Sequence, residues 1–288
     1  MNIDKYSNFR LSPKYPTMPP YHKGDYIEKF FYDFYQHNSV EDIEYISVFW
    51  TAYIDNPKHD IVVPPQKQLQ QLLDSLDKEK QYFTLIQSSN GINFNLPPKT
   101  KVFSCAGNGV WWPIKSNDIV PIPLIASPLE NKDGIRDIFC SFVGSDTHEC
   151  RKRLRALLLG KKDCVFEMGS WNWTFESDKV ARFTNYMNRS VFSLCPRGFG
   201  PTSYRLYESM QLGSIPVYIY DDAWLPYSNE VDWEKICVMI HIDQIEDTYE
   251  ILKSKTEDDI ESYRKSIKEH QQEYFSFEGV CNQIVKSL

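Results

Sequence analysis

Short apolar runs typical of strands alternate with helix-like segments along most of this chain, and this alternation restricts the fold more than any other feature. It favours an α/β fold in which helices cover a parallel sheet. The first half is predicted to contain helices over 25–35 and 66–80 and strands over 45–51, 82–86, 101–105 and 119–125.

A polar, proline-containing stretch over 127–134 is predicted to join this half to a second one, in which the alternation restarts. The second half is predicted to contain strands over 138–143, 164–167, 191–195, 215–220 and 236–242 and helices over 148–159, 177–189 and 202–212. The segment from 244 onward is predicted to be helical.

We therefore expect an N-terminal α/β domain over 1–130, a C-terminal α/β domain over 131–255 and a helical tail over 256–288 that packs back toward the first domain. The length of 288 residues agrees with two domains of about 150 residues each. Two such halves facing each other create a cleft, which is the usual place for a ligand.

Charge and cysteine usage exclude several classes of protein. The chain has 32 Lys and Arg against 39 Asp and Glu, a net charge of −7, so no nucleic-acid partner is expected and an anionic ligand would need a local basic cluster. No two cysteines form a C-x-x-C pair, and reduced thiols fit the cytoplasm. The sequence shows no signal peptide and no apolar run long enough to span a membrane.

The segment over 193–217 reads as strand, glycine loop, helix and strand, and it is the most informative part of the chain. Open α/β sheets bind ligands at the carboxyl ends of their strands, where this loop is predicted to lie. Gly198 and Gly200 would let the backbone approach a ligand closely. Thr202 and Ser203 open the helix, whose free N–H groups favour an anion.

On the predicted helix, a period of 3.6 residues places Leu206 and Met210 on the face that packs against the sheet. Glu208 falls on the opposite, exposed face, and Arg205 lies between the two. An arginine and a glutamate at these positions can bind a phosphate and the vicinal hydroxyls of a ribose together. A surface ion pair between Arg205 and Glu208 is the alternative interpretation.

A second strand ends at Gly144 and leads into a basic helix. Asp146 or Thr147 is predicted to cap this helix. Arg151 falls at the edge of the buried leucine stripe, from where it could reach the cleft. Lys152 points toward solvent, and a solvated basic face is the alternative for the whole cluster.

Two tryptophan-containing segments permit two interpretations each. Trp111 and Trp112 follow a glycine loop that opens no helix, which excludes a dinucleotide-binding fingerprint. They form either a platform for stacking a sugar or part of the core, and the core is favoured. Trp171 and Trp173 either line the cleft or fill a core, and again the core is favoured.

Residues 195–208 read CPRGFGPTSYRLYE, GSIPV follows at 213–217, and an acidic loop over 221–226 leads to Asp-Trp at 232–233. These segments resemble the exostosin family, glycosyltransferase family 47, whose members share CPRG-x-G-P-x-S-x-R-L-x-E, G-x-IPV and an acidic loop ending in Asp-Trp. The strand at Gly144 and the helix after it also resemble a family element, so that the resemblance covers roughly residues 137–240.

The resemblance implies a GT-B fold, in which two Rossmann-like domains face each other across a cleft. It implies an inverting transferase that uses a UDP-sugar, such as UDP-xylose, UDP-galactose or UDP-glucuronate, and an oligosaccharide or glycoprotein acceptor selected by the N-terminal domain. Glu208 would hold the ribose hydroxyls, Arg151 and Arg205 would face the diphosphate, and 197–200 would form the loop beside it. We expect no membrane anchor, and in this the chain is more similar to compact relatives from bacteria or from large DNA viruses acting in the host cytoplasm.

An inverting transfer needs a base that deprotonates the acceptor hydroxyl. Asp55, His59 and Asp60 follow an N-terminal strand and are weak candidates, since each also fits a plain loop position. Arginines and a helix N-terminus can stabilise the leaving diphosphate, so we expect no cofactor and no requirement for a divalent metal. The alternative function is a non-catalytic nucleotide- or carbohydrate-binding protein on the same fold.

Overall fold

The computed structural model of the protein describes residues 4–11, 26–55, 64–125, 128–132, 134–170 and 177–288. Within these ranges, two separate sheets have only parallel neighbours, and helices pack around both. This arrangement, followed by helices at the C-terminus, agrees with the GT-B type of α/β fold that the sequence predicts.

The first sheet has four strands in the order β1-β2-β3-β4. Its strands are β1 Ile43–Tyr45, β2 Gln81–Ile86, β3 Thr100–Ser104 and β4 Asp118–Pro121. The helices of this half are α1 Ile27–Tyr35, α2 Trp50–Asp55 and α3 Gln66–Asp74.

The second sheet has five strands in the order β6-β5-β7-β8-β9. Its strands are β5 Ile138–Ser145, β6 Cys164–Gly169, β7 Ser190–Pro196, β8 Ile215–Tyr220 and β9 Val238–His241. The helices are α4 Glu149–Leu158, α5 Ser177–Arg189 and α6 Tyr204–Gln211. The strand order reverses between β5 and β7, and ligands of doubly wound sheets bind in the crevice that such a reversal opens.

The strand predicted over 45–51 is wrong for most of its length, because β1 ends at Tyr45 and α2 begins at Trp50. The carboxylate of Glu28 on α1 accepts hydrogen bonds from the backbone N–H of Thr51 at 3.0 Å and from its hydroxyl at 2.5 Å. These bonds fix the first turn of α2 against α1. Since the whole segment is buried, its composition does not distinguish a strand from a helix.

The two halves share a hydrophobic core. Phe103 and Ile122 of the first half belong to the same buried cluster as Leu206 and Tyr207 of α6. Polar contacts also cross between the halves: the amide of Gln87 donates to the hydroxyl of Tyr204 at 3.0 Å, and the indole of Trp224 donates to the carbonyl of Ser104 at 3.2 Å.

The last three helices are α7 Thr248–Lys253, α8 Glu257–Tyr274 and α9 Phe277–Lys286. The end of α8 reaches α6, where Phe275 packs beside Tyr207. Helix α9 packs on α1 of the first half, with the rings of Phe277 and Phe30 4.9 Å apart. None of the helices in the described parts of the chain is both long and apolar enough to cross a lipid bilayer.

Candidate functional site

The side chain of Arg151 connects the carboxyl ends of β5 and β7, the two strands between which the strand order reverses. Its Nη1 donates to the carbonyl of Ser145 at 2.7 Å, its Nη2 to Pro196 at 3.2 Å and its Nε to Arg197 at 3.0 Å. The side chain is buried, as its position beside the leucine stripe predicts, whereas Lys152 is exposed. Arg151 therefore shapes the crevice as well as adding charge to it.

Arg205 brings a second buried guanidinium to the same place. Its Nη2 donates to the carbonyl of Val143 at 2.5 Å, and its Cζ lies 4.5 Å from the ring centre of Phe142. The Cζ of Arg151 lies 5.4 Å from the centre of that same ring. A β-carbon on Gly144 would stand 2.7 Å from Nη2 of Arg205, so glycine at this position is what admits the guanidinium.

The closeness of the two cations is unfavourable without an anion. Burial, and to a lesser extent the charge of Arg205, lowers the pKa of Arg151 to about 9. Burial also lowers the pKa of Arg205. Buried charges are normally paired, so two guanidinium groups at one strand edge indicate a site for an anionic ligand.

Glu208 lies three residues after Arg205 on α6, and its carboxylate accepts no hydrogen bond from any residue that the structure describes. It is 6% exposed, and no hydrogen bond or ion pair joins its side chain to any residue in the described ranges. Burial raises the pKa of Glu208 to about 7, although the charge of Arg205 opposes the rise. A buried acceptor left open in this way is suited to the hydroxyl donors of a ligand.

The prediction that Glu208 lies on an exposed face of its helix is wrong. Helix α6 packs against β7 and β8 on one side and against α8 on another, so that residues 205–210 are all buried. The alternative of a surface ion pair with Arg205 is also wrong, because both side chains are buried and the guanidinium donates to the backbone instead.

Arg197, in the glycine loop, is already neutralised. Its Nη1 donates to both carboxylate oxygens of Asp221, at 2.5 and 2.7 Å. Burial is the largest single influence and would raise the pKa of Asp221, but the hydrogen bond and charge of Arg197, together with backbone hydrogen bonds, outweigh it and the pKa is lowered. Arg197 is therefore paired with an acidic residue, whereas Arg151 and Arg205 donate to backbone carbonyls.

The two loop glycines have different surroundings. A β-carbon on Gly198 would lie 3.3 Å from Nη2 of Arg151, at the crevice itself. A β-carbon on Gly200 would lie 2.4 Å from the carbonyl oxygen of Ala106 in the first half. The space expected to admit a ligand beside Gly200 is thus occupied by the other half of the protein.

The helix starts differ from the predicted ones. Ser203 caps α6, its hydroxyl accepting from the N–H of Arg205, which places Thr202 in the preceding loop. His148 caps α4 in place of Asp146 or Thr147, because its ring nitrogen accepts from the N–H of Cys150. The hydroxyls of Thr147 and Thr202 are consequently left without this capping role.

Four polar atoms around the crevice are buried and lack a hydrogen-bond partner within the described part of the chain. They are the Nε atoms of Arg197 and Arg205 and the hydroxyls of Thr147 and Thr202. All four can donate, and unsatisfied buried donors of this kind are costly unless a ligand or water completes them. The described residues contain no group of three or more His, Cys, Asp or Glu that could hold a metal ion.

Among the predicted base candidates, Asp55 ends α2 at the carboxyl edge of the first sheet. Its carboxylate accepts from the amide of Asn90 at 2.6 Å. His59 and Asp60 lie outside the described residues, as do Trp171 and Trp173.

Sequence reasoning missed two contributors. Glu28 is completely buried and holds α2 in place, and Asp221 neutralises Arg197. An acidic residue on the apolar face of the first helix was the available signal for Glu28. The pairing of Asp221 depends on two loops meeting in space and has no local signal.

The favoured placement of Trp111 and Trp112 in the core is wrong. Trp111 is 67% exposed and Trp112 38%. Their loop follows β3 and is held by the neighbouring loop after β2, so that the chain turns outward before it enters β4.

The chain has two parallel sheets, and the second has a crevice suited to an anion where its strand order reverses. These features place the chain in the class of proteins with a GT-B fold. A family profile described as the exostosin GT47 domain matches residues 83–255, which is more than half of the chain. The chain belongs to this family.

Curated relatives match over shorter stretches. A probable glucuronosyltransferase, GUT1, from Oryza sativa subsp. japonica is 38% identical over 97 residues, covering 33% of this chain and 23% of the relative. The probable beta-1,4-xylosyltransferase IRX10 from Arabidopsis thaliana is 37% identical over 83 residues, covering 28% and 20%. The match thus spans about a fifth of each relative's length.

Solved structures with a similar course of the chain include TarM and an alpha1,3-fucosyltransferase. The TarM structure has a TM-score of 0.45 at 10% identity and covers 75% of this chain and 51% of its own. The alpha1,3-fucosyltransferase has a TM-score of 0.43 at 13% identity and covers 80% and 77%.

Proposed function

We propose that the protein is a glycosyltransferase that moves a sugar from a UDP-sugar to a hydroxyl of an oligosaccharide or glycoprotein, with inversion at the anomeric carbon. The observation that carries this proposal is the open carboxylate of Glu208 beside two buried guanidinium groups. Membership of the exostosin GT47 family and the named activities of the relatives support it.

In this proposal, different side chains bind the ribose and the diphosphate of the nucleotide. The carboxylate of Glu208 accepts hydrogen bonds from the vicinal hydroxyls of the ribose. Arg205 and Arg151 attract the diphosphate, and the unpaired Nε of Arg205 and hydroxyls of Thr147 and Thr202 are available as donors to it. As the bond to the sugar breaks, charge develops on the diphosphate, and these fixed donors stabilise it.

The acceptor would bind on the first sheet's side of the cleft, and a base there would remove the proton of its hydroxyl. Asp55 is the candidate for this role in the described part of the chain, oriented by the amide of Asn90. A single displacement needs the base opposite the leaving diphosphate, and a residue of the other half meets that requirement.

All seven cysteines are free thiols, which supports a cytoplasmic location.

Calorimetric titration with UDP tests the donor site. We expect UDP to bind, and Glu208→Gln to weaken it about tenfold or more, as the loss of a charge-assisted hydrogen bond implies. Glu149→Gln is the matched control, because Glu149 is exposed on α4 and pairs only with Lys152 among its described neighbours. Equal affinities of wild type and Glu208→Gln would refute the ribose assignment.

Turnover separates transfer from mere binding. A UDP-sugar whose sugar is α-linked to the diphosphate should give a β-linked product. NMR of the anomeric proton distinguishes the two linkages. An α-linked product would contradict inversion. Tight binding of UDP without transfer or hydrolysis of any UDP-sugar would favour the non-catalytic alternative.

A further inference from the structure

Two exposed tryptophans stand on a well-fixed loop after β3. Trp111 is 67% exposed and Trp112 38%, and exposed large apolar side chains that adjoin one another mark interaction sites. Backbone hydrogen bonds hold the loop: Val110 donates to Ser89 at 2.8 Å and Trp112 to Asn90 at 2.9 Å. The rings are therefore presented in place, and a ligand would not have to order them on binding.

Two glycines make this loop possible. Gly91 and Gly109 adopt positive φ angles of 88° and 92°. A β-carbon on Gly91 would stand 1.8 Å from the carbonyl oxygen of Trp112, and one on Gly109 would stand 2.3 Å from it. The close crossing of the two loops behind the tryptophans thus depends on glycine at both positions.

A cavity of about 480 Å³ opens beside Trp112. Its described lining combines three aromatic residues, three aliphatic ones and two with side-chain amides: Tyr53, Phe94 and Trp112, Ile54, Pro64 and Pro65, and Gln66 and Asn93. The described residues that line it include no charged side chain. The described part of the lining, which consists of rings, aliphatic side chains and two amides, suits a neutral ligand with an apolar face better than a nucleotide or an acidic ligand.

We propose that Trp111, Trp112 and the adjoining cavity bind a pyranose ring of a neutral oligosaccharide. A pyranose has a face of C–H groups that packs on an indole ring, and a rim of hydroxyls that amides can satisfy as both donors and acceptors. Resting on the proposed function, this surface is a binding site for a sugar of the acceptor.

The position of the surface agrees with that role. The same loop touches the donor half, because a β-carbon on Gly107 would lie 2.6 Å from Cδ of Pro201. Trp111 follows Gly107 by four residues, so that its Cα lies within about 14 Å of that contact. An oligosaccharide bound on Trp111 could therefore extend into the cleft.

The test is binding to an array of printed hexaoses made of neutral xylose, glucose, mannose or galactose, with glucuronate-containing oligosaccharides beside them. UDP affinity is measured in parallel for each variant. We expect wild type to bind at least one neutral hexaose, Trp111→Ala to bind it at least tenfold more weakly, and Trp111→Phe to retain most of the binding. Leu159→Ala removes a side chain that is 66% exposed in the other half, and it should change nothing.

Each other outcome has a definite meaning. Absence of binding to every neutral hexaose, a preference for the acidic ones, or full binding by Trp111→Ala would overturn the proposal. Unchanged UDP affinity in Trp111→Ala is expected, since the donor site lies in the other half. If the wild type binds a neutral hexaose but not UDP, the proposed donor is refuted and the proposed sugar-binding surface is supported.

Discussion

The carbonyl oxygen of Ala106 lies 2.4 Å from the point that a β-carbon on Gly200 would occupy. The glycine loop of the second half is therefore in van der Waals contact with the first half. Any side chain at 200 must push the two halves apart or bend the loop.

We expect Gly200→Ala to lower the free energy of unfolding by about 1–3 kcal/mol, the usual cost of overpacking a close contact. Transfer should fall more than UDP affinity, because the groups assigned to UDP lie within the second half. Urea unfolding and calorimetry measure the two effects. Gly169→Ala is the control, since its β-carbon would meet nothing within 4 Å. Lost UDP affinity with unchanged stability would show instead that Gly200 contacts the ligand.

The raised pKa of Glu208 predicts a pH-dependent stability. Its folded pKa of about 7 exceeds its ordinary value of 4.5, so ionisation at higher pH opposes folding. The contribution of the protonated Glu208 carboxyl to the free energy of unfolding is complete below pH 4.5. It is lost as the pH rises through 7, which lowers that free energy by on the order of 3 kcal/mol. Glu208→Gln should be the more stable protein at pH 8, and the difference should vanish near pH 4. Urea unfolding at both pH values checks this, and equal pH profiles would contradict it.

Arg151→Ala should reduce both stability and UDP affinity, since the side chain fastens three backbone carbonyls at the crevice and supplies charge. Hydrogen bonds from charged groups contribute about 1.5–3 kcal/mol each, so a loss of several kcal/mol is expected. UDP should be weakened more than uridine, which lacks the phosphates. Lys152→Ala, which removes only exposed ion pairs, should affect neither ligand. Similar effects of the two substitutions on UDP affinity would mean that these basic residues act only through their summed charge.

Transfer is predicted to continue without a divalent metal. We expect Arg151 and Arg205 to offset the charge of the leaving diphosphate, and the donors beside them that are unpaired within the described residues to hydrogen-bond to it. Rates measured in EDTA and in added Mn²⁺ should agree within a small factor. Complete loss in EDTA that Mn²⁺ restores would contradict the prediction.

The alternation of strands and helices was sufficient to predict the second sheet, because its strands and helices are long and regularly spaced. It failed at Trp50, where complete burial gives a helix the composition of a strand. Positions of the site residues along the chain could also be predicted, since the loop and helix after β7 follow from the motif.

Their surroundings could not be predicted, because they come from distant parts of the chain. Helix α6 is enclosed by β7, β8 and also α8, which begins at Glu257, and helical periodicity carries no information about such a partner. The contact of Gly200 with Ala106 and the pairing of Arg197 with Asp221 are of the same kind. Local pattern predicts which residues share a helix, whereas tertiary packing decides which are accessible.

The packing of Phe277 on Phe30 and of Phe275 on Tyr207 has a practical consequence for fragments of this protein. A fragment that stops at residue 255, where the family match ends, would lose both phenylalanines and expose their partners to water. Buried aromatic rings of this size are major sources of stability, and bare ones invite aggregation. The stretch that carries the family signature is thus shorter than the unit that folds, and catalysis by the signature alone is not to be expected.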